Sequence, residues 1–167
     1  RLEARMATPR TRAHALYPTG GESPARIAIV GAGIAGAAMA HALRRRGAAA
    51  TLLEGGDRLA SGASGNPAGL VMPRLDRGRG PVQEIFLAAF LDAVRAYAQC
   101  GALDACGIME FFRPDLLADP PLPPNWLRAL GPHVLHAYAG IVRPEVAIAA
   151  WTRGVDVRFG KCVTALV

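Results

Sequence analysis

The chain has 167 residues, of which 51% are hydrophobic and 19% are charged. This balance supplies enough apolar side chains for a core and excludes wholesale disorder, and the length suits one domain. The net charge of +6 suits a phosphate or RNA partner, although scattered arginines can also reflect only the base composition of the gene.

The cysteines and the apolar runs indicate the cellular compartment of the protein. Cys100, Cys106 and Cys162 are odd in number and form no paired C-x-x-C motifs, so neither a disulfide framework nor a zinc site is predicted. Free thiols fit a reducing cytoplasm. The apolar run that starts at Ile27 is short and interrupted by glycines, so it predicts no membrane span. We expect a cytoplasmic protein without a membrane segment or a metal.

A strand–helix–strand unit follows an irregular beginning. Residues 26–30 are short, apolar and rich in branched side chains, which predicts a buried strand. Apolar residues at helical spacing predict a helix over 34–46, which ends in three arginines and is followed by Gly47. Residues 49–54 predict a second buried strand.

Later elements are predicted from weaker patterns. Residues 55–73 and the proline-rich stretch 113–132 predict loops, the second with one helical turn around Trp126. Pro144 suits the first position of a helix, and Gly154 suits the position after its end. The predicted helices cover residues 82–99 and 144–153, and the predicted strands cover residues 107–112, 155–159 and 162–167.

The motif G-x-G-x-x-G at residues 31–36 lies directly between the first strand and the helix. Gly31 permits a tight turn, Gly33 leaves room for a pyrophosphate, and Gly36 lets the helix pack closely on the strand. The helix start, with the backbone of Ile34 and Ala35, offers N–H groups to phosphate. The position of the motif predicts a dinucleotide site.

Glu54 ends the second strand of this unit. A carboxylate there accepts hydrogen bonds from ribose hydroxyls and repels a ribose phosphate, which argues against NADP. The alternative to a dinucleotide site is that the motif is only a glycine-rich turn and that Glu54 is a solvated carboxylate. The motif by itself does not distinguish FAD from NAD.

Residues 61–69 distinguish FAD from NAD through a resemblance to a known family. Residues 61–69 read Ser-Gly-Ala-Ser-Gly-Asn-Pro-Ala-Gly and resemble the loop of D-amino-acid-oxidase-like FAD enzymes that wraps the pyrophosphate and passes near the flavin. Its hydroxyl and amide side chains offer hydrogen bonds, and its glycines admit close approach. The alternative is a flexible surface loop. The resemblance implies that FAD is the cofactor.

With the Leu-Val-Met-Pro that follows, residues 61–73 resemble the oxidoreductase domain of the MnmC family of bacterial tRNA-modification proteins. The resemblance resumes over residues 138–167. It implies FAD-dependent oxidation of the carboxymethylaminomethyl group of a tRNA wobble uridine, with hydride removal beside a secondary amine and hydrolysis of the imine. Bifunctional members carry a methyltransferase domain before this one, which is therefore an expected fusion partner.

The implied fold is α/β, a Rossmann-like FAD-binding domain with a parallel sheet and a substrate-side insertion. Because the chain begins at Arg1 and stops in a strand-like run at Val167, we expect it to be incomplete. The expected divisions are a linker or tail over 1–25, the first part of the FAD-binding domain over 26–74, the insertion over 75–140 and a truncated return to the FAD-binding domain over 141–167.

The resemblance also implies that Val163, on the strand returning to the FAD-binding domain, lies against the adenine through its backbone. No catalytic side chain is indicated. The expected FAD-binding residues are Gly31, Gly33, Ile34, Ala35, Gly36, Glu54, Ser61, Ser64, Gly65, Asn66, Gly69, Leu70 and Val163.

Two alternatives to a tRNA-modifying enzyme stay open: an oxidase of glycine or D-amino acids from the same superfamily, and a flavin-binding piece without turnover. Arg74, Arg77 and Arg79 could contact a substrate carboxylate or RNA phosphate, or line a solvated loop. His133 and His136 have a helical metal-ligand spacing but no third ligand nearby, so ordinary core or surface histidines are favoured. Asp104 and Glu110 do not have the spacing of a catalytic pair.

Overall fold

The computed structural model describes residues 27–75, 80–118 and 121–165. The helices in these ranges are α1 (Ile34–Arg45), α2 (Pro81–Gln99) and α3 (Pro144–Trp151). The strands are β1 (Ile27–Val30), β2 (Ala50–Leu53), β3 (Gly69–Val71), β4 (Leu103–Asp104), β5 (Ile108–Glu110), β6 (Leu127–Leu130), β7 (His133–His136), β8 (Gly140–Val142) and β9 (Asp156–Arg158).

A parallel sheet of order β1-β2-β9 carries the glycine motif at the end of β1. Leu52, at the centre of β2, is fully buried against Ala32 and Ala40. These small residues let α1 lie close to the sheet. Gly47 adopts φ +77°, and its N–H bonds to the Arg44 carbonyl, which ends the helix as the sequence predicts. The parallel sheet confirms the predicted α/β class.

Two antiparallel sheets lie within or beside the predicted insertion. One has the order β3-β8-β4 and joins strands that are far apart in the chain. The other has the order β5-β7-β6, with the last of its strands at the centre. The prediction of loops over 55–73 and 113–132 is therefore wrong in part, because β3 lies in the first range and β6 in the second. Both strands are short and depend on a distant partner, so local periodicity does not show them.

The largest hydrophobic core lies where the three helices meet these sheets. Trp151 of α3 stacks on Tyr97 of α2 with ring centroids 5.3 Å apart, and the His41 ring of α1 also stacks on Trp151 at 6.2 Å. Burial and the nearby Arg44 and Arg45 guanidinium groups lower the pKa of His41. Among the described helices, none is long and apolar enough to cross a membrane.

Some predicted boundaries need correction. Trp126 lies in a turn, with its N–H bonded to the Pro123 carbonyl, and not in a helix. Helix α3 ends at Trp151, and Gly154 follows with φ +74°. The described part of the last predicted strand, residues 162–165, is irregular. The pairing of β9 with β2 ends at Arg158, opposite Leu53 at the end of β2.

Candidate nucleotide-binding site

The glycine turn brings the ends of β1, β2 and α1 together. Gly31 adopts φ +93°, which favours glycine, and its N–H bonds to the Leu53 carbonyl at 2.8 Å. A Cβ on Gly36 would collide with the Gly31 carbonyl oxygen. A Cβ on Gly33 would lie only 2.9 Å from Ser64 Oγ. The turn therefore has its tight geometry because these positions lack side chains.

Helix α1 begins with donors available to an anion. Its first residue, Ile34, donates its N–H to Ser64 Oγ at 3.0 Å. The bond from the Ala37 N–H to the Gly33 carbonyl follows at 3.0 Å. The N–H groups of Ala35 and Gly36 precede that bond in the first turn, where helical acceptors are lacking and the dipole favours negative charge. A pyrophosphate fits this end of the helix.

Glu54 is buried beside the glycine turn, with 9% of its surface exposed. Its Oε2 accepts the Ala32 N–H at 2.7 Å, and its Oε1 accepts the Gly56 N–H at 2.9 Å and the Ser61 hydroxyl at 2.8 Å. The Gly56 and Ala32 backbone N–H groups, followed by the Ser61 hydroxyl, lower the pKa of Glu54. The residue is therefore an ionised acceptor, and Oε2, which accepts one described hydrogen bond, can accept a further one from a hydroxyl.

The loop that follows Glu54 is docked on the turn. Ala60 donates its N–H to the Ala32 carbonyl at 3.2 Å. A Cβ on Gly65 would lie 2.5 Å from the Ala60 carbonyl oxygen, so this close path also requires glycine. Residues Ala63–Gly65 form a short 3-10 helix, which places Ser64 over Gly33. The loop thus packs on the site instead of extending into solvent.

The other expected FAD-binding residues lie at the rim. Asn66 is exposed, and Gly69 begins β3. Leu70 is 66% exposed on that strand, opposite Ile141. Val163 is 37% exposed in the irregular segment after β9. The roles of these residues in binding FAD stay predictions.

The segment that leads to Val163 is tied to the site through its backbone. The Lys161 N–H donates to the Glu54 carbonyl at 2.8 Å, and the Gly160 N–H donates to the Gly56 carbonyl at 2.9 Å. The chain therefore returns to the carboxyl end of β2 without forming the expected strand.

A polar network outside this site was not indicated by the sequence. Glu110 accepts the Arg113 guanidinium through Oε1 at 2.9 Å, and its Oε2 lies 2.9 Å from Nε2 of buried His136. Arg113 also donates to the Leu75 carbonyl at 3.2 Å, so the network ties the end of the segment after β3 to the β5-β7-β6 sheet. Its members are far apart in sequence, and no local motif joins them.

His133 and His136 are on β7, not in a loop, and their odd spacing puts them on opposite faces of the strand. The described ranges contain no group of three or more histidine, cysteine, aspartate or glutamate side chains that could hold a metal. Arg74 lies 5.5 Å above the Phe86 ring. Arg77 and Arg79 lie outside the described residues.

Comparison with known families decides between the dinucleotide-binding classes. Residues 26–166 match the family described as FAD dependent oxidoreductase. The chain belongs to this family. The fold agrees: an L-proline dehydrogenase from P. horikoshii, 14% identical, superposes over 88% of this chain and 47% of its own with a TM-score of 0.63.

Curated relatives within the FAD-dependent oxidoreductases share the MnmC name. The chain is 32% identical over 154 residues to the tRNA 5-methylaminomethyl-2-thiouridine biosynthesis bifunctional protein MnmC of Thiobacillus denitrificans, covering 77% of this chain. It is 52% identical over 71 residues to the protein of that name from Maricaulis maris, covering 42% of this chain. The matches span 25% and 12% of those relatives, which are much longer proteins.

Proposed function

We propose that this chain is the FAD-binding part of an enzyme that oxidises a C–N bond of a secondary amine on the wobble uridine of tRNA. The observation that carries the proposal is that the relatives named above are biosynthesis proteins for a methylaminomethyl uridine of tRNA. The net charge of +6 adds support for an RNA substrate.

Two parts of the described site would bind two different groups of FAD, the pyrophosphate and the ribose. The first turn of α1, from Ile34, would hold the pyrophosphate, with Ser64 beside it. Glu54 would accept a ribose hydroxyl through Oε2. FAD, when bound, supplies the acceptor for the hydride that leaves the carbon next to the amine. The protein contributes position and electrostatics, and no side chain is assigned to proton transfer.

We further propose that the whole protein is cytoplasmic and carries a second catalytic domain. The relatives are named bifunctional and are several times longer than their match to this chain. The resemblance described above identifies the expected second domain as a methyltransferase. Both activities would then act on one modified uridine.

The test is reduction of the flavin in the full-length protein under anaerobic conditions. We expect tRNA that carries the carboxymethylaminomethyl group to bleach the flavin absorbance, and unmodified tRNA to leave it unchanged. Bleaching by glycine or a D-amino acid, with none by the modified tRNA, would replace the proposal with a small-molecule oxidase. A bound flavin that no amine reduces would indicate a binding module without turnover.

A further inference from the structure

The antiparallel β5-β7-β6 sheet has one buried and one open face. On β7, Val134 and His136 are buried, whereas His133 and Leu135 point to the opposite side. Cross-strand pairing places Met109 and Arg128 beside Leu135, and Leu130 beside His133. Met109 is 38% exposed and Leu130 is 50% exposed, so this second face lies open.

Two phenylalanines extend the open face beyond the end of β5. Phe111 is 59% exposed and Phe112 is 74% exposed. Their rings lie edge-on to the His133 ring, with centroids 4.8 and 5.1 Å away. We call the surface formed by Met109, Phe111, Phe112, Leu130 and His133 the aromatic face.

The backbone holds Phe112 in an uncommon conformation. Its φ of +56° lies in the left-handed region, which bulky side chains rarely adopt. The Phe112 N–H donates to His133 Nδ1 at 3.3 Å, which supports this conformation. A large apolar ring is thus kept exposed on a strained backbone, a combination that often accompanies a functional surface.

The charges of the sheet are divided between its faces. Within β5, β6 and β7, Arg128 lies on the open side, whereas the carboxylate, Glu110, lies with His136 on the side that faces the core. The aromatic face therefore lies beside the Arg128 guanidinium, and the sheet separates it from the Glu110 carboxylate. One cation beside exposed aromatic rings suits a single phosphate group next to a base.

We propose that the aromatic face stacks an unpaired nucleobase of the RNA substrate, with Arg128 near its phosphate. The inference rests on the proposed function, because it names where that substrate would contact the chain. Proteins that read unpaired RNA use aromatic side chains on the open face of an antiparallel sheet, since every base has a ring face to stack.

The experiment uses full-length FAD-loaded protein and an anticodon stem-loop RNA with 2-aminopurine in the loop. We expect Phe111→Ala and Phe112→Ala each to weaken binding about 5- to 150-fold, the range for loss of one stacked base. Phe111→Tyr should retain both affinity and the quenching of 2-aminopurine. Ile85→Ala, which removes a 69% exposed side chain from α2, is the matched control and should bind normally.

A further variant separates a binding role from a structural one. Phe112→Gly removes the ring and relieves the left-handed strain, so we expect it to melt at a higher temperature and yet bind RNA more weakly. A lower melting temperature with unchanged RNA affinity would overturn the inference.

The remaining outcomes distinguish this inference from the proposed function. Wild-type protein that does not bind the stem-loop would contradict both. Wild-type binding that the alanine variants retain in full would overturn the aromatic face alone. If those variants instead lose FAD or change oligomeric state, the face is covered by protein, either another part of the chain or a second copy, and the inference is wrong.

Discussion

The hydroxyl of Ser64 accepts the N–H of Ile34 at 3.0 Å, although the two residues are 30 positions apart in sequence. The loop after Glu54 therefore caps the helix that follows the glycine motif. A phosphate oxygen of FAD would bind the same end of the helix. We expect the Ser64 hydroxyl to turn when FAD binds, so that its role changes from helix cap to cofactor neighbour.

Removing the Ser64 hydroxyl should affect the protein mainly in its FAD-free state. Without FAD, Ser64→Ala leaves the Ile34 N–H without its acceptor, and we expect a loss of about 0.5–2 kcal/mol in unfolding free energy, as for other helix caps. With FAD bound, phosphate takes the N–H, and the loss should be smaller. Chemical denaturation with and without FAD measures both values. Ser64→Thr keeps a hydroxyl and is the control, and equal losses in both states would contradict the exchange of acceptors.

Substitutions at the second and third glycines of the motif should have different effects. A Cβ at Gly33 meets only the movable Ser64 hydroxyl, whereas a Cβ at Gly36 meets the Gly31 backbone. We therefore expect Gly33→Val to fold but to purify without FAD. Gly36→Ala should lower the unfolding free energy of the FAD-free protein by about 1–3 kcal/mol, as overpacking does. Flavin absorbance and thermal melting distinguish the two, and stoichiometric FAD in Gly33→Val would refute the assigned pyrophosphate site.

Glu54 should make stability depend on pH. Its folded pKa lies below the usual value, chiefly because Gly56 and Ala32 donate N–H bonds. The ionised carboxylate therefore stabilises the fold above its unfolded pKa of about 4.3, and this contribution is lost as the pH falls through the folded pKa. Glu54→Gln should cost about 1–3 kcal/mol near neutral pH, and the difference from wild type should shrink in acid.

Urea unfolding across the acid range measures that difference. Glu84→Gln removes an exposed carboxylate from the first turn of α2 and is the control, which should lower the free energy of unfolding near neutral pH much less than Glu54→Gln does. FAD binding by the same variants tests the ribose contact, since loss of a charge-assisted hydrogen bond of about 1.5–3 kcal/mol corresponds to one to two decades in Kd. An unchanged Kd for Glu54→Gln would assign Glu54 to the fold and not to the cofactor.

Binding of tRNA should be sensitive to salt. Arg74, Arg77 and Arg79 follow the loop expected beside the flavin, and changing all three to glutamine should weaken binding. The slope of log K against log salt should flatten by roughly 0.7–0.9 for each phosphate contact that is lost. FAD content should stay the same. The control removes equal charge from Arg44, Arg45 and Arg46, and an equal effect there would show that the first three are not specific contacts.

The β1-α1-β2 unit was determined by its own sequence. Branched residues form β1, Gly31 makes the turn with its positive φ, and Gly47 ends the helix, all through short-range effects. The location of Glu54 at the carboxyl end of β2 follows from the same local pattern. For this reason the dinucleotide-binding unit was predictable without a structure, whereas the choice of FAD came from the resemblance of residues 61–69.

The tertiary structure alone decided which distant residues meet. Strand β3 forms against β8, and β6 forms against β7, in stretches whose own residues lack a strand period. The contacts of Ser64 with Ile34 and of His136 with Glu110 likewise join separate segments. Short strands and isolated side chains obtain their hydrogen bonds from partners elsewhere in the chain. Their conformation is therefore a property of the packed fold, whereas that of the glycine turn is a property of its residues.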